Sequence, residues 1–167
     1  MRASLFVVVP FLVATTVLVA GCDQTPSPPG EAEPTDLGSV YQSPAGYQVA
    51  IPEEWAGSYD VQEEPKVDVD ARGATSVTDF VYTPTDTSLM PAALMTVLTY
   101  TAEQWSQIAQ QGGPPPGEPV AECGDATVVV SMPQSNPYGS DTSDGATFDE
   151  LYQAIDPELA VTCTPAP

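Results

Sequence analysis

The sequence predicts an α+β fold, an antiparallel sheet of about five to seven strands with two helices packed on it. Short segments from about residue 40 onward either alternate apolar and polar residues or run apolar, and several stop at a proline. Two stretches open on a capping pair followed by apolar residues at helical spacing. The order, several strands, a helix, more strand and a late helix, is that of an antiparallel sheet covered by helices on one side.

The chain has to be taken from its start, because its first segment belongs to no domain. Met1 and Arg2 give a positively charged beginning, and Leu5 to Val19 is apolar except for Pro10, Thr15 and Thr16, the layout of a secretory signal peptide. It ends on Leu18-Val19-Ala20-Gly21-Cys22, which resembles the lipobox of bacterial lipoproteins. That resemblance implies cleavage between Gly21 and Cys22, a diacylglycerol on the Cys22 thiol, and a signal peptide spanning residues 1–21. Each buried methylene contributes about 0.8 kcal/mol of membrane affinity, so two or three acyl chains anchor stably where one holds marginally. An uncleaved transmembrane anchor or an ordinary cleaved signal are the alternatives, and neither accounts for the position of the cysteine. All three place the remainder outside the cytoplasm, and the lipoprotein reading puts it on the cell membrane.

Residues 22–39 are the lipidated cysteine and a tether. From Asp23 to Asp36 the chain holds Pro26, Pro28, Pro29, Pro34, Gly30 and several acids without apolar periodicity, so it cannot bury a core. At about 3.1 Å per residue in a polyproline-like state it reaches some 40 Å, enough to lift a domain clear of the lipid headgroups.

A single globular domain is expected over 40–163, followed by a short tail at 164–167. Tyr47, Val49 and Ile51 alternate with Gln48 and Ala50 as a half-buried strand ended by Pro52, and Tyr59 and Val61 continue the period after Gly57. Val77 to Tyr82 reads as the next strand, and Leu94 to Tyr100 as a long central one. Thr101 followed by Gln104 opens a helix carrying Trp105, Ile108 and Ala109, which Gly112, Gly113 and Pro114 stop. Thr127 to Met132 is a strand ended by Pro133. Thr147 followed by Glu150 opens the second helix, with Phe148, Leu151, Tyr152 and Ile155, and Leu159 to Cys163 is the last strand. There is no internal repeat.

The stretch GYQVAIPEEWAGSY, Gly46 to Tyr59, resembles the opening of a group of small secreted bacterial domains and is similar to the PsbP and Mog1-like α+β fold. LTYTAEQW, then ATVVVSMPQSNPY, then a terminal helix follow in the order that fold has. The resemblance implies a sheet packed against helices and carries over no catalytic residues.

Composition excludes more than it assigns. The formal charge of −20 becomes −21 once Arg2 is removed, leaving Lys66 and Arg72 against 23 acids. Nucleic acid is a poor partner for such a chain, since phosphate binding rests on Lys and Arg. An anionic membrane surface repels it, which fits attachment through a covalent lipid. With no histidine there is no Ser-His-Asp triad, no Cys-His dyad and no imidazole metal ligand. Lys66, the remaining partner for a Ser-Lys pair, lies among acids that keep it charged. Asp68, Asp70, Arg72, Gly73 and Asp79 fall at positions 1, 3, 5, 6 and 12 of a calcium-loop template, but a cation occupies a ligand position there. These three aspartates are weak metal candidates, and the domain is expected to fold with neither metal nor cofactor. Trp55 and Trp105 read as core rather than as a carbohydrate platform.

Three cysteines are present, and with Cys22 committed to lipid two remain in an oxidising compartment. Cys123 precedes the turn Gly124-Asp125 and Cys163 ends the last strand, so a Cys123–Cys163 disulfide is expected, against the alternative of two buried thiols. The whole points to a lipid-anchored extracytoplasmic protein that binds an unassigned protein or small molecule without catalysis. The alternative is a hydrolase using paired carboxylates.

Overall fold

The computed structural model describes residues 37–164, so Gly21, Cys22 and the expected tether up to Asp36 lie outside the described residues. Within them eight strands form two antiparallel sheets rather than one. Strands β1 (Leu37–Gln42), β2 (Tyr47–Pro52) and β8 (Val161–Cys163) make a three-stranded sheet in the order β1-β2-β8. Strands β3 (Tyr59–Glu63), β4 (Ser76–Tyr82), β5 (Ala92–Thr101), β6 (Glu118–Cys123) and β7 (Ala126–Ser131) make a five-stranded sheet in the order β3-β4-β5-β7-β6. The α+β class holds, and β5 is the central strand that its apolar run predicts.

The five-stranded sheet is covered on both faces, because successive side chains of a strand point to opposite sides. Val128 and Val130 of β7 join Phe80, Met95 and Val97 in one cluster, with Tyr47, Val49 and Ile51 of β2 and Phe148 and Leu151 beyond. Val129 belongs to a second cluster with Val77, Leu98 and Tyr100, against which Trp105 and Ile108 pack. The three-stranded sheet and helix α3 (Ser143–Gln153) thus lie over one face, and α1 (Lys66–Ala71) and α2 (Ala102–Gln110) over the other. The expectation of helices on one side is corrected accordingly.

Local chemistry explains where elements start and stop. Helix α2 has the full capping box: Gln104 N–H donates to Thr101 Oγ1 at 3.1 Å, and Thr101 N–H donates to Gln104 Oε1 at 2.7 Å. Helix α3 begins earlier than Thr147. Its cap is Thr142, whose Oγ1 accepts from Gly145 N–H at 3.0 Å. Gly145 packs so closely on the Gly139 carbonyl that a Cβ there would collide with it, which reserves the position for glycine. Helix α1, absent from the sequence reading, is ended by Gly73 at φ 66°: Gly73 N–H bonds Asp70 O and Ala74 N–H bonds Val69 O. That is a Schellman stop, with Val69 and Ala74 sharing the apolar contact beneath it. The expected last strand, Leu159 to Cys163, begins only at Val161, because Pro157–Ala160 forms a helical turn, α4, capped by Asp156.

The two sheets meet along two seams that differ. At one, edge strands β6 and β8 are joined by the Cys123–Cys163 disulfide, with a Cα separation of 5.2 Å. At the other, β1 approaches β3 without backbone pairing: Tyr41 Oη donates to Glu63 Oε1 at 3.0 Å, and its ring meets Phe80 edge-on at 5.5 Å. The disulfide spans 40 positions of chain. By the chain-entropy relation, the double variant Cys123→Ser, Cys163→Ser should lose about 4 kcal/mol of stability. Denaturant titration reads this, and an unchanged midpoint would show that the stitch contributes nothing.

Candidate functional site

A hollow of about 250 Å³ opens where the β1–β2 turn overhangs the end of β3 and the start of β4. Ser43 and Ala45 form its rim, Glu63 and Glu64 one wall, and Thr75 and Ser76 another. The two neighbouring glutamates take different partners. Glu63 turns to Tyr41, while Glu64, whose N–H donates to Val77 O at 3.0 Å, turns toward Asp79 on β4. Asp79 is buried and accepts from Thr96 Oγ1. Contact with the Asp79 carboxyl holds the Glu64 carboxyl above the usual glutamate range, and burial adds to the effect. Beside them the hydroxyls of Thr75, Ser76 and Thr99 bond one another at 2.6 to 2.7 Å.

The structure separates the calcium-template residues. Asp68 and Asp70 lie on α1, Asp79 on β4, Arg72 caps α1, and Gly73 is its stop rather than the sixth position of a loop. Asp70 accepts from Lys66 Nζ at 2.9 Å on the exposed side of the helix. Among the described residues no three His, Cys, Asp or Glu side chains stand together as metal ligands. Trp55 is fully buried and donates from Nε1 to Leu151 O at 2.7 Å, and Trp105 leans on Tyr100 with ring centroids 5.8 Å apart. Trp55 is a core group, whereas Trp105 is half-buried and packs against the second cluster from outside.

A buried acid that the sequence reading passed over is Asp144, on the first turn of α3. Its Oδ1 accepts from Tyr82 Oη at 2.7 Å, Thr85 N–H at 2.7 Å and Thr85 Oγ1 at 3.0 Å, and its Oδ2 accepts from Asp86 N–H at 3.1 Å. These bonds stabilise the ionised form and hold the carboxyl down to about 2, the Tyr82 hydroxyl first among them. Burial, followed by the same carboxylate, pushes the Tyr82 phenol up to about 12. Tyr82, Tyr138 and Phe148 pack edge-to-face around the site at 5.5 to 5.9 Å. With four donors on its two oxygens, Asp144 ties α3 to the end of β4 and to the β4–β5 loop. Its partners stand 58 to 62 positions away in sequence, so only the fold reveals them.

No family model matches this sequence, and no curated protein or solved structure matches it either. The fold and its sites define an α+β domain of two stitched sheets, with a hollow of mixed lining beside Glu63 and Glu64 and a buried carboxylate knot at Asp144.

Two substitutions separate these sites. Asp144→Ala leaves the Tyr82 hydroxyl and two backbone donors unpaired and should lower the thermal midpoint by about 5–10 °C. Because the Asp144 carboxyl is depressed in the fold, its contribution is present above the unfolded aspartate value of about 3.9 and is lost as pH falls toward about 2. Midpoints of wild type and Asp144→Asn should therefore converge between pH 4 and 2, and parallel curves would contradict the assignment. Glu64 carries the opposite sign. Its raised value means that the ionised form is penalised in the fold, so stability falls as pH rises through it, and Glu64→Gln should melt no lower than wild type at pH 7.

Proposed function

We propose that this chain is a lipid-anchored extracytoplasmic lipoprotein whose domain, akin to the PsbP and Mog1-like fold, acts as a non-enzymatic binding module. The observation that carries the reading is Leu18 to Cys22, followed at once by the proline- and acid-rich spacer. The cysteine pair of the domain supports it, since structural disulfides persist in oxidising compartments. Attachment is through lipid on Cys22, and the ligand is a protein or a small molecule rather than a nucleic acid, given the charge.

The second reading, a hydrolase using paired carboxylates, has one observation in its favour, the Glu64–Asp79 contact. A carboxylate pair acts when both groups reach the same bond. Here Glu64 lines the hollow and Asp79 does not, and Glu63, which also lines it, is engaged by the Tyr41 hydroxyl, which favours binding over hydrolysis.

Processing tests the anchor directly. Mass spectrometry of the protein isolated from its cells should find the N-terminus at Cys22 with acyl mass, and Cys22→Ala should accumulate an unprocessed, unlipidated form. A mature N-terminus at Cys22 without acyl mass overturns the lipoprotein reading.

A further inference from the structure

Among the described residues the two sheets have four edges, and three of them are blocked. Strands β6 and β8 lie against each other under the disulfide. Edge strand β3 carries Asp60 and Glu63, and charges on an edge discourage further pairing. Strand β1, Leu-Gly-Ser-Val-Tyr-Gln, has neither a charge nor a proline in a chain of formal charge −20, and Val40 on it is 52% exposed.

Hydrogen-bond parity shows which β1 groups are free among the described residues. Ser43 N–H donates to Tyr47 O across the hairpin, and pairing continues as Gln42↔Gln48, Tyr41↔Val49 and Val40↔Ala50. Bonded and non-bonded pairs alternate in an antiparallel ladder, so Tyr41 bonds β2 while Val40 and Gln42 direct their N–H and C=O outward. No backbone pairing joins these groups to β3.

Chemistry beside this edge selects the occupant. A hollow of about 410 Å³ lies between Ser39 of β1 and Tyr59 of β3, with Ile51 and Pro52 as apolar lining and Glu53 at its side. In the chain Glu54 follows Glu53 and Asp60 follows Tyr59, so further acids adjoin the lining residues. An apolar lining with a carboxylate beside it suits a lysine or arginine side chain, whose stem covers carbon while its charge meets the acid. A second copy of this chain would bring like charge to the same place.

We propose that the free edge of β1 accepts an extended, basic segment of another protein as an added strand, with one lysine or arginine in the Ser39–Tyr59 hollow. Strand addition takes affinity from main-chain bonds and selectivity from alternate side chains, and here these are the Val40 and Gln42 groups and the acids beside them. The inference rests on the binding-module reading and is independent of the lipid.

The test uses the full chain in detergent micelles and two blocked seven-residue peptides, one alternating lysine with valine and one alternating glutamate with valine. Hydrogen exchange at the Val40 and Gln42 amides should slow at least tenfold with the lysine peptide and stay unchanged with the glutamate peptide. Val40→Lys sets a like charge on the edge and should weaken binding about tenfold or more, which is about 1.4 kcal/mol. Val40→Pro, removing an outward N–H that the β1–β2 ladder does not use, should do the same. Unchanged exchange at β1, equal binding of the two peptides, or full binding by both Val40 variants overturns the proposal. So does protection that grows with protein concentration alone, since the occupant is then a second copy. A peptide recovered intact but unprotected defeats this surface only, whereas a cleaved peptide defeats the binding-module reading as well.

Discussion

Burial of β5 on both faces is the constraint around which the domain is arranged. Leu94, Met95, Val97, Leu98 and Tyr100 are all buried, and a strand whose side chains alternate cannot hide them behind one layer. Two covers are required, and the chain makes them from different materials. On the Leu98 and Tyr100 side, short α1 and amphipathic α2 suffice, because Val77 and Val129 already narrow the face to be covered. On the Val97 side the larger residues Tyr47, Trp55, Phe80 and Phe148 fill a deeper space, and it takes both α3 and a second sheet to enclose them.

This construction decides where polar groups are buried and how they are satisfied. Tyr47 enters the core from β2 with its hydroxyl donating to Thr78 at 2.8 Å, and Trp55 reaches Leu151 O, so the two sheets and α3 are fixed by directional bonds as well as by apolar contact. Asp144 performs the same service for the loop between β4 and β5, in the ionised state, because four donors replace the water it has lost. Tyr100 is the contrast: its hydroxyl has no hydrogen-bond partner among the described residues, and burial raises its pKa. Its ring, tilted against Trp105, is what that position requires.

Local signals made much of this legible. The alternation at Tyr47 to Ile51, the long run at Leu94 to Tyr100, the Thr101–Gln104 capping box and the two cysteines left after Cys22 each depend on a few adjacent residues or on composition, and the structure has them as read. What was not legible depends on distant partners. Glu118–Cys123 has a proline and two acids and pairs only because β7 offers its edge; Lys66–Ala71 carries two aspartates, which read as a solvated loop until Val69 is seen against the sheet. The start of α3 was misplaced because Thr147 and Glu150 imitate a capping box inside a helix that Thr142 had already begun. Division into two sheets is a matter of pairing alone, and alternation, which gives the face of each residue, carries no information on which strand lies beside it.

The disulfide then has a role that its sequence position does not suggest. A sheet of five strands and a sheet of three leave four edges, and bare edges invite unwanted pairing. Stitching β6 to β8 removes two of them at once and closes the core on that side. On the opposite side closure is left to a side-chain bond, Tyr41 to Glu63, which holds the sheets together while leaving the Val40 and Gln42 backbone groups unpaired. One seam is therefore covalent and shut, the other polar and open, and the open one lies on β1, the first strand of the described residues. A single chain-entropy device secures one side of the core, and of the two edges left, β3 carries acids while β1 carries none. That asymmetry between the two seams separates the part of the domain that maintains the fold from the part free to meet another molecule.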